Sequence, residues 1–403
     1  MNFRENTIFS KINTYIYPMI LKAIKYRLYP TKEQCVLIDK HIGACRFVYN
    51  LALETKQFAY AAKQINLSCF DLIKQLPELK SECEWLKEIN SQSLQSSITN
   101  LDTAYTNFFK GQSNFPKFKS KRKSTQSFQV PQNVIIEDNC IIIPKFKKGI
   151  KAVTHKILEG KTKGGTISKT LTGKYFISVL IETNGNIPVK PIITENNTIG
   201  IDLGVKDFAI TSKGEKFENP RNLKKSLSKL KFIQHKYSKY KGQRTKKRLA
   251  SIHEKITNRR HDFLHKITKK LVDDNQTIAL ENLNTKGMIQ NNKLAQAIQD
   301  VAWGKFDILI TYKAEWYGSN ILKIGRFEPS SRMSDCGQIN KELTLIDRVW
   351  VCKHCGQTYD RDIQAAKNIK KFALRNYVLG RSTKNHGELP TLVGVLTHEA
   401  TIL

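Results

Sequence analysis

The sequence predicts a multidomain α+β protein, and three observations carry that reading. The chain has 403 residues and is 40% apolar, enough for more than one core. Its apolar period is helical over residues 31–112 and alternates over 126–185. Beyond residue 196, two short apolar runs each end in a carboxylate: Asp202 after Thr198-Ile199-Gly200-Ile201, and Glu281 after Thr277-Ile278-Ala279-Leu280.

Taken in order, residues 1–18 read as an extension ahead of the first structured element. Residues 19–30 read as a strand. Thr31-Lys32-Glu33-Gln34 is a capping box that opens a helix. Cys35, Ile38, Ile42, Cys45, Tyr49 and Ala52 give that helix one apolar face. Leu94, Ile98, Leu101, Tyr105 and Phe108 mark a second helix that stops near Gly111. A helical block therefore follows the first strand. In Asn114-Phe115-Pro116-Lys117-Phe118-Lys119-Ser120-Lys121-Arg122-Lys123, aromatics alternate with cations. That pattern suits either a segment gripping a nucleic-acid backbone or a solvated loop pinned by two phenylalanines.

Residues 134–143 read as a hairpin turning at Asp138-Asn139, and Tyr175, Ile177, Val179 and Ile181 alternate along a further strand. With residues 19–30 these strands predict a small β-barrel interrupted by the helical block. Residues 186–191 read as a linker. Strands at 198–203 and 207–212, a turn at Lys213-Gly214 and a third strand suit a ribonuclease-H-like sheet. Residues 221–270 predict a basic helical hairpin that contacts phosphates, with Lys246, Lys247 and Arg248 in its densest stretch. Residues 294–320 read as one amphipathic helix on which Asp300 and Trp303 are structural. The chain from Arg381 shows no period and reads as a disordered tail.

Lys and Arg total 67 against 35 Asp and Glu, a formal net charge of +32. So large an excess repels itself in a folded chain and calls for an anionic partner, with nucleic acid foremost. A membrane partner is disfavoured, because no eighteen-residue apolar stretch, amphipathic lipid face or lipidation signal is present. No signal-peptide core is present either, so a cytoplasmic chain is expected. In a reducing compartment Cys35, Cys45, Cys69, Cys83 and Cys140 read as small hydrophobes.

The acids carry the chemistry. Asp202 and Glu281 close strands, and Asp362 of Asp360-Arg361-Asp362 opens a helical pattern, with Asp360 an equally good cap and a rival ligand. Carboxylates gathered together repel one another, and divalent metal is the usual reason to gather them. Two metals about 4 Å apart clamp both oxygens of a phosphodiester displacement. Cys352-Lys353-His354-Cys355 supplies half a tetrahedral zinc site, but upstream Met333-Ser334-Asp335-Cys336 offers one cysteine only. Cys336, Cys352 and Cys355 are thus an incomplete set, and zinc binding is expected to be weakened or lost.

Gly200-Ile201-Asp202-Leu203-Gly204, Leu280-Glu281-Asn282-Leu283, Pro329-Ser330-Ser331, Arg348-x-Trp350-x-Cys352-x-x-Cys355-Gly356 and Asp360-Arg361-Asp362-x-x-Ala365-Ala366-x-Asn368-Ile369 resemble the TnpB (OrfB) proteins of bacterial insertion sequences. Arg46-Phe47-Val48-Tyr49-Asn50 and Phe115-Pro116-Lys117-Phe118-Lys119 extend the resemblance into the first half. It implies an RNA-guided DNA endonuclease with a RuvC-type domain, similar to compact type V CRISPR effectors. On it, residues 19–30 and 126–190 form a barrel wedge, 31–125 a recognition lobe, 196–330 and 359–380 the nuclease, 331–358 a zinc-ribbon-like insertion and 381–403 a tail. Asp202, Glu281 and Asp362 become the catalytic acids and magnesium ligands. The expected partners are a guide RNA from the transposon end and double-stranded target DNA, bound by a monomer. Arg46, Asn50, Lys117, Lys119, Lys121, Arg122, Lys246, Lys247 and Arg248 are candidate nucleic-acid contacts. A nuclease-inactive RNA-guided regulator and a transposase accessory acting on element ends are the alternatives. Gln364 stands where the family pattern has Asn.

Overall fold

The computed structural model describes residues 20–122, 125–156, 159–183, 188–292, 294–344 and 346–380; the N-terminal extension, residues 186–187 of the expected linker and the C-terminal tail lie outside them. The chain opens with β1 (Ile20–Tyr29) and α1 (Lys32–Lys63), and the Thr31–Gln34 capping box is formed as read. Short helices α2 (Cys69–Lys74) and α3 (Leu76–Glu82) lead to α4 (Ser91–Phe109). Six strands follow: β2 (Gln126–Val130), β3 (Ile135–Glu137), β4 (Cys140–Ile143), β5 (Phe146–Val153), β6 (Lys161–Lys169) and β7 (Tyr175–Thr183).

These strands and β1 form one antiparallel sheet in the order β2-β6-β7-β1-β5-β4-β3. Its two outermost strands are joined by only four residues, 131–134. Laid flat, seven strands span about 29 Å from first to last, yet that connection reaches at most about 18 Å. The sheet must therefore curl. Thr162 Oγ1 in β6 donates to the carbonyl of Val134, in that connection, at 2.8 Å. No ladder joins β2 to β3 among the described residues, so the expected barrel is a curled sheet rather than one closed by strand pairing. Its inner face and the helical block share one core, in which Tyr26, Ile177 and Val179 join Ile38, Leu53, Leu94 and Leu101.

A second sheet contains β8 (Thr198–Leu203), β9 (Asp207–Thr211), β10 (Lys216–Glu218), β11 (Thr277–Glu281) and β12 (Asn320–Ile324), in the order β10-β9-β8-β11-β12. Strand β9 runs antiparallel to both β8 and β10; β8, β11 and β12 run parallel. Between β9 and β12 come a helical hairpin, α5 (Asn222–Tyr240) and α6 (Gln243–Asp274), then α7 (Thr285–Ile289), α8 (Ala295–Val301) and α9 (Trp303–Tyr317). Ile199, Ile201, Ile278 and Leu280 face α6 and α9 in one core. Alternation sends Gly200, Asp202, Ala279 and Glu281 to the opposite face, where Ala279 packs against Ile369, Phe372 and Ala373. Those three belong to α10 (Arg361–Val378), which follows a two-stranded ribbon of β13 (Val349–Val351) and β14 (Thr358–Asp360). No helix among the described residues is long and apolar enough to cross a membrane.

The single helix expected over 294–320 is two, broken at Ala302, which adopts φ 55°. Nothing in an alanine announces a break; tertiary contacts impose it. The α5 N-terminus has no cap of its own. Asp300 supplies one from α8, accepting from the backbone N–H groups of Leu223 at 2.9 Å and Lys224 at 3.2 Å. Arg260 lies 3.8 Å away on the other side. Asp300→Ala is expected to destabilise the protein by about 1–2 kcal/mol, the usual cost of a lost helix cap, in a denaturant melt.

Candidate active site

The two sheet acids sit side by side because β8 and β11 are parallel and in register, with Ile201 opposite Leu280. Asp202 and Glu281 occupy the next positions, at the C-terminal ends of adjacent strands and on the α10 face. Gly200 fixes where α10 crosses. A Cβ there would stand 2.0 Å from the carbonyl oxygen of Ala366 and 2.8 Å from the backbone nitrogen of Lys370. Two residues along the strand, about 6.6 Å, separate Gly200 from Asp202. Four residues back along the helix, about 6 Å, separate Ala366 from Asp362. The glycine contact thus sets Asp362 against Asp202.

Electrostatics records the result. Burial, then repulsion from Glu281 and Asp362, raises the Asp202 carboxyl to about 7, with Arg361 and Arg348 opposing. Burial also raises Glu281, against a hydrogen bond from Ser330, whose hydroxyl donates to Oε1 at 2.5 Å. One Arg348 nitrogen donates to both oxygens of Asp362, at 3.1 and 3.0 Å. Asp360 is engaged elsewhere. It caps α10 through the N–H groups of Asp362 and Ile363, at 3.0 and 3.1 Å, and pairs with Lys216 at 3.1 Å.

Four residues that the sequence marks only as parts of motifs, with no role assigned, hold this arrangement: Ser330, Arg348, Gln364 and Asn368. Buried on α10, Asn368 Nδ2 donates to the carbonyls of Ser330 and Met333, both at 2.7 Å. Gln364 Nε2 donates to Asp335 Oδ1 at 2.8 Å and to the Met333 carbonyl at 3.2 Å. The glutamine that departs from the family pattern thereby pins the loop leading to Cys336. Beyond the motif itself, the signal in the sequence is the pair of polar residues at four-residue spacing on an otherwise apolar helix face.

Asp202, Glu281 and Asp362 offer carboxylate oxygens only; the charges of the other two reach Asp202, but the three carboxylates do not all close to within 4.8 Å of one another. That chemistry fits a hard divalent cation. Cys336, Cys352 and Cys355 form a separate group whose sulfurs all lie within 4.8 Å of one another. The Ser334 hydroxyl, then the Gln338 backbone, pull the Cys336 thiol down to about 7. Beneath the group Leu343, Trp350, Cys352 and Tyr359 make a small core. Thiolate-forming sulfurs so gathered fit zinc.

The nucleic-acid candidates divide. Lys117, Lys121, Arg122, Lys246, Lys247 and Arg248 are exposed, and Arg46 is half-buried. Asn50 instead holds its own chain: Nδ2 donates to the Lys119 carbonyl at 2.9 Å, and Oδ1 accepts from the Lys119 N–H at 2.7 Å. Lys119 Nζ lies 3.8 Å from the Tyr49 ring centroid, and burial lowers its pKa. Both side chains are engaged within the protein. Burial raises the Cys45 thiol to about 11, as suits a cysteine acting as a core hydrophobe.

Comparison with known proteins shows the family. A protein named "Putative RNA-guided DNA endonuclease" from Streptomyces pristinaespiralis is 34% identical over 361 residues, covering 87% of this chain and 89% of the relative. Residues 177–292 match the OrfB family model, described as a probable transposase. The chain belongs to the OrfB transposase family. A second OrfB relative bearing the same endonuclease name, InsQ of Escherichia coli (strain K12), is 30% identical over 373 residues, covering 87% of this chain and 91% of its own. Residues 303–369 match a Cas12f1-like TNB domain. The fold is shared with the protein chain of a Cas12f1–sgRNA–target DNA complex, at TM-score 0.54 and 14% identity, over 87% of this chain and 99% of that one. A third match, over 19–64, is described as a helix-turn-helix domain. In this OrfB chain that stretch holds the strand β1 and one 32-residue helix.

Proposed function

We propose that this chain is an RNA-guided DNA endonuclease that cuts by metal-dependent phosphodiester hydrolysis at Asp202, Glu281 and Asp362. The observation that carries the reading is the convergence of three carboxylates from three separate elements, with Asp202 raised to about 7. The sheet order, three antiparallel strands followed by two parallel ones with an acid ending the first, supports a ribonuclease-H-like domain of RuvC type. The relatives' names and the shared fold support the guide RNA and the DNA target.

Bound divalent metal would be held by the three acids and would stabilise charge on the attacking and leaving oxygens. The protein's own groups do the rest. Ser330 fixes Glu281 through one carboxylate oxygen and leaves the other free to face the site. Arg348 and Arg361 place positive charge beside Asp202 and lower the cost of ionising it. The basic α5–α6 hairpin grips phosphates without reading bases, leaving sequence choice to base pairing. Binding is therefore steeply salt-dependent.

The two aspartates of Asp360-Arg361-Asp362 separate a metal ligand from a cap. Asp362→Asn is expected to abolish cleavage of target DNA by the protein–RNA complex. Asp360→Asn is expected to retain it, because Asn caps a helix as well as Asp and the exposed Lys216 pair contributes little. Equal cleavage by the two variants would overturn the assignment.

A further inference from the structure

The cysteine ribbon is built from two turns of the same design, and one of them is a residue short. In the downstream knuckle the N–H of Cys352 donates to the carbonyl of Gln357 at 2.9 Å, and the N–H of Gly356 donates to the carbonyl of Cys352 at 2.9 Å. The upstream turn repeats both bonds. The N–H of Ser334 donates to the carbonyl of Gln338 at 3.0 Å, and the N–H of Gly337 donates to the carbonyl of Ser334 at 3.0 Å. Each turn ends Cys-Gly-Gln, but Cys352-Lys353-His354-Cys355-Gly356-Gln357 has two residues between its ligand positions and Ser334-Asp335-Cys336-Gly337-Gln338 has one. Superposed by these bonds, Ser334 stands where Cys352 stands. The missing cysteine corresponds to Ser334, not to Met333, whose side chain packs into the core beneath α10.

The sulfur–sulfur spacing matches a four-cornered site, and the Ser334 hydroxyl sits at hydrogen-bond distance, about 0.5 Å inside the ligand spacing. Two thiolates on a tetrahedral zinc lie about 3.8 Å apart, and a thiolate and a hydroxyl about 3.5 Å. Cys336 Sγ and Cys352 Sγ are 3.7 Å apart, and Ser334 Oγ lies 3.0 Å from Cys336 Sγ. Ser334 is fully buried. Its hydroxyl can donate to the Gln338 carbonyl at 3.0 Å, leaving oxygen lone pairs for a metal. The other candidates are engaged or turned away. Asp335 is held by Gln364, and no ring nitrogen of His354 lies within 4.8 Å of all three sulfurs.

We propose that Ser334 is the fourth ligand of a zinc site completed by Cys336, Cys352 and Cys355, contributed as a neutral hydroxyl from a knuckle shortened by one residue. Binding releases three thiol protons and leaves the Ser334 O–H donating to Gln338. The inference concerns the ribbon alone and stands or falls apart from the nuclease reading.

The test uses the full-length chain, reduced and freed of metal, then titrated with Co2+. Cobalt at carboxylates gives no thiolate charge-transfer band, so the signal reports the ribbon. Wild type is expected to bind one thiolate-ligated Co2+ per chain, displaced by Zn2+. Ser334→Cys is expected to intensify the charge-transfer band and move the ligand-field bands to longer wavelength, as a fourth sulfur enters. Ser334→Ala is expected to weaken Zn2+ about tenfold in competition with a chelating dye. No thiolate–cobalt band in the reduced wild type, as a Cys336–Cys352 disulfide or an open site would give, would overturn the proposal. So would unchanged wild-type spectrum and affinity in both variants.

Discussion

Asp202→Asn is expected to abolish DNA cleavage while making the metal-free protein more stable at pH 8. The carboxyl is raised to about 7 by burial, Glu281 and Asp362, against about 3.9 in an unfolded chain. Below pH 4 both states hold the proton and the group has no effect on folding. Between pH 4 and 7 the folded state retains a proton that the unfolded state has lost, so stability falls as pH rises through this window. Above 7 the full penalty is present, at most about 4 kcal/mol by the size of the shift and less to the extent that solvent reaches the carboxyl. An amide carries no such charge. Thermal melts in EDTA should therefore show the variant above wild type at pH 8 and level with it at pH 4. Guide RNA binding should be unchanged. A variant that still cuts, or one that melts at the wild-type temperature at pH 8, contradicts this account of Asp202.

Gly200→Ala is expected to lower cleavage at least about 100-fold although the residue carries no functional group. The added methyl would meet backbone of Ala366 and Lys370, which no rotamer change can clear. Helix α10 must shift outward, carrying Asp362 away from Asp202. Overpacking of this kind costs about 1–3 kcal/mol, and a displacement of about 1 Å at a reacting centre costs about 100-fold in rate. Gly43→Ala is the control, because nothing lies within 4 Å of its missing Cβ and alanine favours α1. It should cut at the wild-type rate and melt no lower. Wild-type cleavage by Gly200→Ala would show that the acids are not aligned by this crossing.

What the sequence discloses and what it conceals divide along a physical line. Strand-end acids and the Thr31 capping box are local, since neighbours within four residues decide them, and they are found as read. The pairing of Arg348 with Asp362 joins residues fourteen apart through a ribbon that must first fold. The hydrogen bonds of Gln364 and Asn368 join α10 to a loop more than thirty residues upstream. The first leaves no periodic trace, and the second leaves only two polar residues at four-residue spacing, which name no partner. Asn50 and Lys119 read as nucleic-acid contacts on side-chain chemistry alone, and only tertiary structure shows both facing inward. Ser334 is hidden for a different reason: its turn has one residue between ligand positions where Cys-x-x-Cys has two, so the spacing is lost while the backbone hydrogen bonds are kept.

The junction at Asp360 has a mechanical consequence. Asp360 is both the last residue of β14 and the cap of α10, and the N–H of Arg361 still bonds back to the carbonyl of Arg348 at 2.8 Å. No slack residue lies between ribbon and helix. A hinge would dissipate a tilt of the ribbon, whereas a seamless joint transmits it as torque on the first turn of α10. The ribbon and the first turn of α10, which carries Asp362, are in this sense one continuous piece.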